Sequence, residues 1–536
     1  MKRKFNLLAL SLLGMAMSAT AQTENPFDVL DNPSRGVYGS DNRVEAKSKW
    51  AYRDYVRATA ALVDAKNING NQVRAYTLRQ ALQANYGVPP ASDVQFLDQP
   101  IASGCTGFLI APDILVSAGH CFTKGGGQQY ESPRDPNFGG ISGKVWIFDY
   151  TNDVPFNRSS NYITIPAENQ YRVAEMLDAK LVGGGTTGSD YAIMRLDRPT
   201  NRKPFKFRFG GKVTTGDFLA MVGAPDGLPL KIADSAYVIN NNGARSFKTN
   251  LDAFHGNSGG PVFNVRGWIE GMLLYGPSDY YVDDACKCVR TSTYYDLHGT
   301  LRRIGLPTMN VSAAEASSYG EGVYRFPLLP NNLKIEAVLR NLDYAIRNNN
   351  AGEFAEWCMY DGIFEVQPGT RENLIPMAAA YNRTAIVDTI IGICLDREGY
   401  TGKVDLNAAD NNGATMSHYL ARYNNVDAIK KASLWDDLNL KITDNAKRSV
   451  LHYAAEYGAL GAMDELIRLK ADVNAQDNYG ETPLHYAVRS NNLTAVMKLV
   501  WSGSYTSTTN SSGQTAYDLA KKLKYKDIKK FLKKNR

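Results

Sequence analysis

Phe254-His255-Gly256-Asn257-Ser258-Gly259-Gly260-Pro261-Val262-Phe263 is the stretch on which the reading of this chain turns. Small residues crowd one serine and an apolar pair follows, the pattern of a tight turn leading into a strand. Such a turn presents a hydroxyl beside converging backbone N–H groups. Attack of that hydroxyl on a carbonyl creates an oxyanion, and the amides of Gly256 and Ser258 are placed to stabilise it, an effect worth about 3–4 kcal/mol per donor. Glycine accepts the backbone angles this needs. The same string also suits an ordinary loop, so its meaning depends on what else the chain supplies.

Two upstream segments supply it. Leu115-Val116-Ser117-Ala118-Gly119-His120-Cys121 is an apolar strand ending in a histidine at a small-residue corner. Gly188-Ser189-Asp190-Tyr191-Ala192-Ile193-Met194-Arg195-Leu196 is an aspartate opening an alternating strand after a glycine-rich loop. A serine hydroxyl is a poor nucleophile without an adjacent base, and the base needs an orienting group. His120, Asp190 and Ser258 offer all three in that chain order. The plainer readings are a structural histidine beside a cystine and a loop-end cap. Asp178 and Asp197 are competing carboxylates, but neither opens a strand after a glycine loop.

The order and the three contexts resemble the chymotrypsin-like (trypsin-fold) serine peptidases over residues 36–305. Gly36-Val37-Tyr38-Gly39-Ser40-Asp41-Asn42-Arg43-Val44-Glu45 looks like that fold's first strand, similar to bacterial secreted members related to glutamyl endopeptidases. The resemblance implies an all-β double-barrel domain acting on a polypeptide. It gives His120 the role of general base and then acid, Asp190 that of tautomer holder, Ser258 that of nucleophile, and Gly256 and Ser258 the oxyanion amides. It also implies a Cys105–Cys121 disulfide. Those cysteines bracket a hairpin, Thr106 to Ile110 and Ile114 to Ser117 around Ala111-Pro112-Asp113, and would meet at its open end.

Substrate residues follow from the same resemblance. Asp252, six before Ser258, stands where trypsin-like enzymes put the carboxylate of the first specificity pocket; it either draws Lys or Arg side chains or only holds the turn, and Arg290 could neutralise it. Leu273-Leu274-Tyr275-Gly276 matches the strand that pairs with substrate main chain, which makes Tyr275 and Gly276 candidate contacts. His255 falls at the pocket rim or in solvent. Asn257 replaces the aspartate that pairs with a newly cut amino terminus in the best-known relatives, so that activation switch is absent or different here.

At 536 residues the chain predicts two to four domains. With 44% hydrophobic and 21% charged residues it can build true cores. Met1-Lys2-Arg3-Lys4, an apolar run from Phe5 to Met17 and Ala19-Thr20-Ala21 read as a secretory signal over 1–21. The apolar run is too short to span a membrane. The expected location is therefore secreted or periplasmic, with a leader or propeptide at 22–35. Net charge is 60 − 54 = +6, of which three positive charges leave with the signal. The remainder gives no argument for nucleic acid. Cys286 and Cys288 are too close in sequence to be an obvious pair; Cys358 and Cys394 either pair or stay as buried thiols. No Cys/His spacing suggests a metal, and no cofactor is expected.

From Ile101 to Val289 short β runs alternate with Gly, Pro, Asn and Asp clusters. Val145 to Phe148, Tyr162 to Ile165, Phe218 to Val222 and Gly271 to Tyr275 are the clearest strands, while Tyr52 to Ala65 suits either a helix or a strand. Tyr294 to Ile304 is expected to be a helix closing the second barrel, with a linker at 306–334. Beyond it a repeat of about 33 residues appears. Thr415-Met416-Ser417-His418-Tyr419, Ser449-Val450-Leu451-His452-Tyr453 and Thr482-Pro483-Leu484-His485-Tyr486 share one frame, and Thr515-Ala516-Tyr517-Asp518 is a fourth copy without the histidine. These resemble ankyrin repeats over 335–536, degenerate before 410. The resemblance implies an all-α solenoid that recognises a protein partner, with the histidines tying loops together instead of binding metal. Taken together these readings predict an exported serine endopeptidase with an ankyrin domain. The rivals are a catalytically silent binding protein and an esterase using the same triad.

Overall fold

The computed structural model describes residues 42–535, apart from 125–127, 184–186, 277–278, 292–293, 298–299, 304–319, 359–373, 396–404 and 436–437. The signal, the leader and positions 36–41 of the first strand lie outside the described residues, as does the stretch from Pro307 to Tyr319. The chain divides into two units, residues 1–337 and 338–536.

Six strands of the first unit close on themselves: β1 (Thr59–Asp64), β2 (Cys105–Ala111), β3 (Ile114–Ser117), β4 (Lys144–Phe148), β5 (Gln170–Val182) and β6 (Ser189–Leu196). The barrel order is β5-β6-β3-β2-β1-β4, with β4 returning to β5. Short strands of Val, Ile, Phe and Trp favour this arrangement because closure removes exposed edges. Val145, Trp146, Ile147 and Phe148 are all buried, which explains their unbroken apolar run. The segment Tyr52 to Ala65 holds both of its expected states, a one-turn helix α1 (Arg53–Arg57) followed by β1.

A second six-stranded barrel follows: β7 (Phe218–Gly223), β8 (Lys231–Asn240), β9 (Ser246–Thr249), β10 (Pro261–Asn264), β11 (Trp268–Tyr275) and β12 (Glu321–Arg325). Its order is β8-β7-β10-β11-β12-β9, closed by β8 against β9. Leu219, Met221, Val238, Phe247, Val262, Leu273 and Val323 fill it. Each such side chain, fully buried, stabilises the fold by about 1.5–3 kcal/mol.

Three expectations are corrected here. Tyr294 to Ile304 is no helix: Tyr294–Leu297 and Thr300–Arg303 pair as an antiparallel hairpin. The barrel is closed instead by β12, which pairs with β9 and β11 and lies inside the stretch 306–334 taken as linker. Alternating Gly322, Val323, Tyr324 and Arg325 fit a strand flanked by buried neighbours, and tertiary pairing decides such a short run. Cys286 and Cys288, expected to be too close for an obvious pair, are bonded to each other, joining the turn after Tyr280–Asp283 to the first residue of Cys288–Thr291. The Cys358 and Cys394 side chains lie outside the described residues.

One satellite core bears on the site. Helix α2 (Leu78–Tyr86) starts at a Thr77 capping box and buries Leu78 and Leu82 with Leu228, Phe254, Tyr280 and Val289.

Helix α3 (Asn331–Arg347) runs across the division between units. The second unit continues with α4 (Ala351–Cys358), then pairs α5 (Leu374–Ala380) with α6 (Thr384–Leu395), α7 (Met416–Arg422) with α8 (Val426–Ala432), α9 (Val450–Glu456) with α10 (Leu460–Arg468), α11 (Pro483–Arg489) with α12 (Leu493–Trp501) and α13 (Ala516–Lys522) with α14 (Lys526–Lys534). The first helices of successive pairs stack on one another. Each histidine of the repeat acts twice. His418, His452 and His485 Nδ1 accept from the backbone N–H of Thr415, Ser449 and Thr482, and Nε2 reaches the carbonyl of Arg448, Glu481 and Gln514 in the next repeat at 3.2, 3.0 and 3.1 Å. In the last copy Asp518 keeps the local cap, accepting from Thr515 N–H at 3.2 Å. A carboxylate has no proton to give to a carbonyl of a neighbouring turn.

Candidate active site

β3 ends at Ser117 and the chain turns through a one-turn 3₁₀ helix, Gly119–Phe122, that carries His120. Gly119 is required there, because a Cβ would meet the carbonyl of Lys180 at 2.5 Å. The Cys105–Cys121 disulfide joins the start of β2 to this turn, with Cα atoms 6.3 Å apart. The pairing is as the sequence implied, and closing a loop of this size contributes about 3 kcal/mol in the chain-entropy model.

Asp190, second residue of β6, takes hold of His120 at two points. One carboxylate oxygen accepts the His120 backbone N–H at 3.0 Å and the other lies 2.8 Å from Nδ1. Tautomer and ring orientation are thereby set together. Burial works against an imidazolium at this position, but the hydrogen bond and charge of Asp190 outweigh it, so the His120 pKa is raised above its ordinary value. The competing carboxylates are engaged elsewhere: Asp178 accepts from Tyr191 Oη at 2.9 Å and Asp197 pairs with Arg198.

Ser258 stands in the turn between β9 and β10, and four contacts fix that turn to the first barrel and to β11. Thr106 of β2 donates its N–H to the Ser258 carbonyl at 2.9 Å and its hydroxyl to the Gly256 carbonyl at 2.8 Å. Gly259 donates to the Leu273 carbonyl, and Leu273 to that of Gly260. Gly259 has φ +83°, and a Cβ there would strike Ser117 Oγ at 2.3 Å and the Ala118 nitrogen at 2.6 Å. The serine turn therefore packs against the strand end that leads into His120. The Ser258 hydroxyl donates to the Leu274 carbonyl at 3.4 Å and makes no hydrogen bond to His120.

The amides expected to face an oxyanion are open. Among the described residues, neither Gly256 N–H nor Ser258 N–H has an acceptor, and the peptides that carry them are held from their carbonyl sides. The His255 carbonyl accepts from Asp226 N–H and the Asn257 carbonyl from Gly260 N–H. In a planar trans peptide the N–H points opposite to the C=O, so those bonds aim the Gly256 donor away from Asp226 and the Ser258 donor away from Gly260.

The expected substrate residues are placed less uniformly. Tyr275 ends β11 and the exposed Gly276 follows it, one and two residues after the Leu274 carbonyl that accepts the Ser258 hydroxyl. Asp252 accepts the backbone N–H of Asn42 at 2.8 Å. Arg290 does not neutralise it, because its guanidinium binds Asp283 and Asp93. His255 is exposed, as expected. Sequence reasoning missed two residues. Thr106 is one, and a single threonine in an apolar strand gives no signal. Glu321 is the other: it is buried at the start of β12, and a Cβ on Gly276 would meet its carboxylate at 2.1 Å. Burial first, then the charges of Asp279 and Asp252, push its pKa well up, while Lys248 opposes them.

Cys105, His120 and Cys121 also bring one nitrogen and two sulfurs within 4.8 Å. Both sulfurs are consumed in the disulfide and are not thiolate ligands, so the cluster does not fit a metal.

Comparison with known proteins agrees with this architecture. A trypsin-like peptidase domain matches residues 105–272, and ankyrin repeats match in three overlapping copies, 375–477, 418–512 and 451–536. The chain joins a trypsin-like peptidase domain to ankyrin repeats. Among curated proteins it is similar to ankyrin repeat domain-containing protein 37 of Homo sapiens, 38% identical over 89 residues, or 17% of this chain and 56% of that protein. A transient receptor potential cation channel subfamily A member 1 homolog of Caenorhabditis elegans is 36% identical over 17% of this chain and 7% of its own length. The tyrosine-protein kinase Shark of Drosophila melanogaster is 28% identical over 30% of this chain and 16% of its own. The chain thus spans about half of the first relative and small fractions of the others. Among the described residues no helix is long and apolar enough to cross a membrane.

Proposed function

We propose that this protein is an exported serine endopeptidase that uses His120, Asp190 and Ser258, with its ankyrin repeats recruiting a protein substrate or partner. The observation that carries the reading is the two-point hold of Asp190 on His120, next to a serine turn with two open amides. In the proposed reaction Ser258 Oγ leaves the Leu274 carbonyl by rotation about χ1 and gives its proton to His120 Nε2 as it attacks the peptide carbonyl. The imidazolium is stabilised by Asp190 and the oxyanion by Gly256 and Ser258 N–H. His120 then protonates the leaving amine, and water repeats the sequence to release the acid. Export rests on the signal read in residues 1–21. Asp252 supports a preference for basic side chains before the cut.

A silent binding protein is the second reading, favoured by the Ser258 hydroxyl resting on Leu274 instead of His120. Such bonds often form only with substrate bound. Labelling with a serine-directed organophosphonate separates the two. Modification confined to Ser258 supports the enzyme, and no labelling of folded protein supports the binder. Profiling cleavage in a peptide library adds the specificity: Lys or Arg before the cut is expected, and acidic or apolar residues would overturn that preference. Cleavage of esters alone would favour the esterase.

A further inference from the structure

We infer that Asp279 is the positioning residue for the oxyanion peptide, clamping His255 so that Gly256 N–H faces the reacting carbonyl. The inference rests on the peptidase reading above. Its starting point is Asn257: this residue is buried beside Gly223, and its Oδ1 has no hydrogen-bond partner among the described residues. The side chain preceding the serine therefore does not anchor the turn through that oxygen. Another group does.

His255 N–H donates to Asp279 Oδ2 at 2.8 Å, while the His255 carbonyl accepts from Asp226 N–H. The residue is thus gripped on both sides of its Cα, and the peptide it shares with Gly256 has one orientation left. The turn of Asp226 is held from the same strand. Tyr280, next to Asp279 in the chain, donates its hydroxyl to Asp226 Oδ2 at 2.7 Å. Gly256, at φ +93°, fits only because it lacks a side chain, since a Cβ would meet the Ala224 carbonyl at 2.5 Å. Segment 279–280 therefore fixes both halves of the loop that supplies the first oxyanion donor.

The surroundings suit a positioning role more than a stabilising one. Asp226 and Glu321 face Asp279 with like charge, Arg43 opposes them, and Tyr86 and Tyr280 adjoin. Burial and then Asp226 push Asp279 up to about 7 against the His255 N–H bond and Arg43. A carboxyl kept where its charged form is disfavoured, beside the loop that carries Gly256, is a candidate for a functional role.

The test uses the full chain with Asp279→Ala and Asp279→Asn. Removing one oxyanion donor lowers kcat by about 10²–10³, and misplacing one is expected to lower it about 10- to 100-fold. Asp279→Ala should show that loss with KM within about twofold of wild type, and Asp279→Asn, whose amide oxygen still accepts the N–H, should recover kcat to within about threefold. An Ala variant with wild-type kcat, or an Asn variant as impaired as the Ala variant, would overturn the inference. A crystal structure of Asp279→Ala decides the clamp whatever the activity: a rotated His255–Gly256 peptide supports it, and an unmoved one refutes it. Wild-type protein inert to peptides and to organophosphonate would instead count against the peptidase reading.

Discussion

His120 of the peptidase unit, whose side chain is 34% exposed, and the three fully buried histidines of the ankyrin unit are alike in being bonded through Nδ1, yet their environments drive them in opposite directions. The partner of His120 is a carboxylate, and its pKa is raised. The Nδ1 partners of His418, His452 and His485 are backbone N–H donors that need an acceptor, and burial lowers all three, His418 to about 4. A lone pair on Nδ1 is required in the stack, whereas a proton on Nδ1 is required in the site. What surrounds the ring therefore decides whether a histidine favours its charged form or stays neutral and holds backbone.

The largest test of that contrast is loss of the reacting groups. Ser258→Ala should lower kcat by at least about 10⁴-fold, and Asp190→Asn by about 10⁴-fold through loss of the correct tautomer. Both should leave the thermal transition of the ankyrin unit in place by calorimetry. Because His120 must be neutral to act as base, the acid limb of kcat/KM should lie above the ordinary 6.5 and fall in Asp190→Asn. An acid limb at or below 6.5 in the wild type would break the comparison.

Much of the fold is legible in the sequence. The His120–Asp190 pair, the Cys105–Cys121 bond, the two barrels and the repeat histidines all sit in local patterns, namely a small-residue strand end, a hairpin and a fixed period. What was not readable is non-local. Thr106 looks like one more residue of an apolar strand until its hydroxyl is seen on Gly256. β12 hides behind a Ser- and Ala-rich stretch, and with it went Glu321. Arg290 could be imagined beside Asp252 only because the hairpin that sends it to Asp93 and Asp283 was invisible. In the repeats, Tyr453 and Tyr486 donate to Asp444 and Asp477 at 2.9 and 2.8 Å, locking each turn by a pair nine residues apart. That spacing is present in the sequence, but a Tyr and an Asp nine residues apart carry no signal until the turn brings them together.

Next in size is the stack itself. His452→Ala strands the Ser449 N–H and the Glu481 carbonyl in the interior, and should destabilise the ankyrin unit by about 3 kcal/mol, read as a lower midpoint in urea. Peptide hydrolysis by the folded variant should match wild type. Acidification acts in the same sense. A histidine whose folded pKa lies below its unfolded value of 6.5 contributes stability above pH 6.5 that is lost as pH falls toward the folded pKa. For His418, at about 4 when folded, the loss by pH 5 is roughly 2 kcal/mol, with His452 and His485 adding in the same direction. His120 has the opposite sign: its contribution is complete below pH 6.5 and fades as pH rises through the raised folded value. The ankyrin transition should move down on acidification, and a transition indifferent to pH between 7 and 5 would remove the contrast.

The smallest expected effect probes how the two units hold their parts. In the stack each histidine is fixed by its own helix and the adjacent repeat, so damage is local. The serine turn depends on a residue about 150 positions away: Thr106 Oγ1 donates to the Gly256 carbonyl at 2.8 Å and accepts from Ala224 N–H at 3.0 Å. Thr106→Val keeps the shape and removes both bonds, leaving two buried backbone groups unpaired. The expected loss is about 1–2 kcal/mol of stability in the peptidase unit, with kcat down by a few-fold because the Gly256 peptide is less firmly set. A variant that loses stability but keeps full kcat would mean that the contacts of Asp226 and Asp279 suffice to aim Gly256, and that the first barrel serves the turn only as a support.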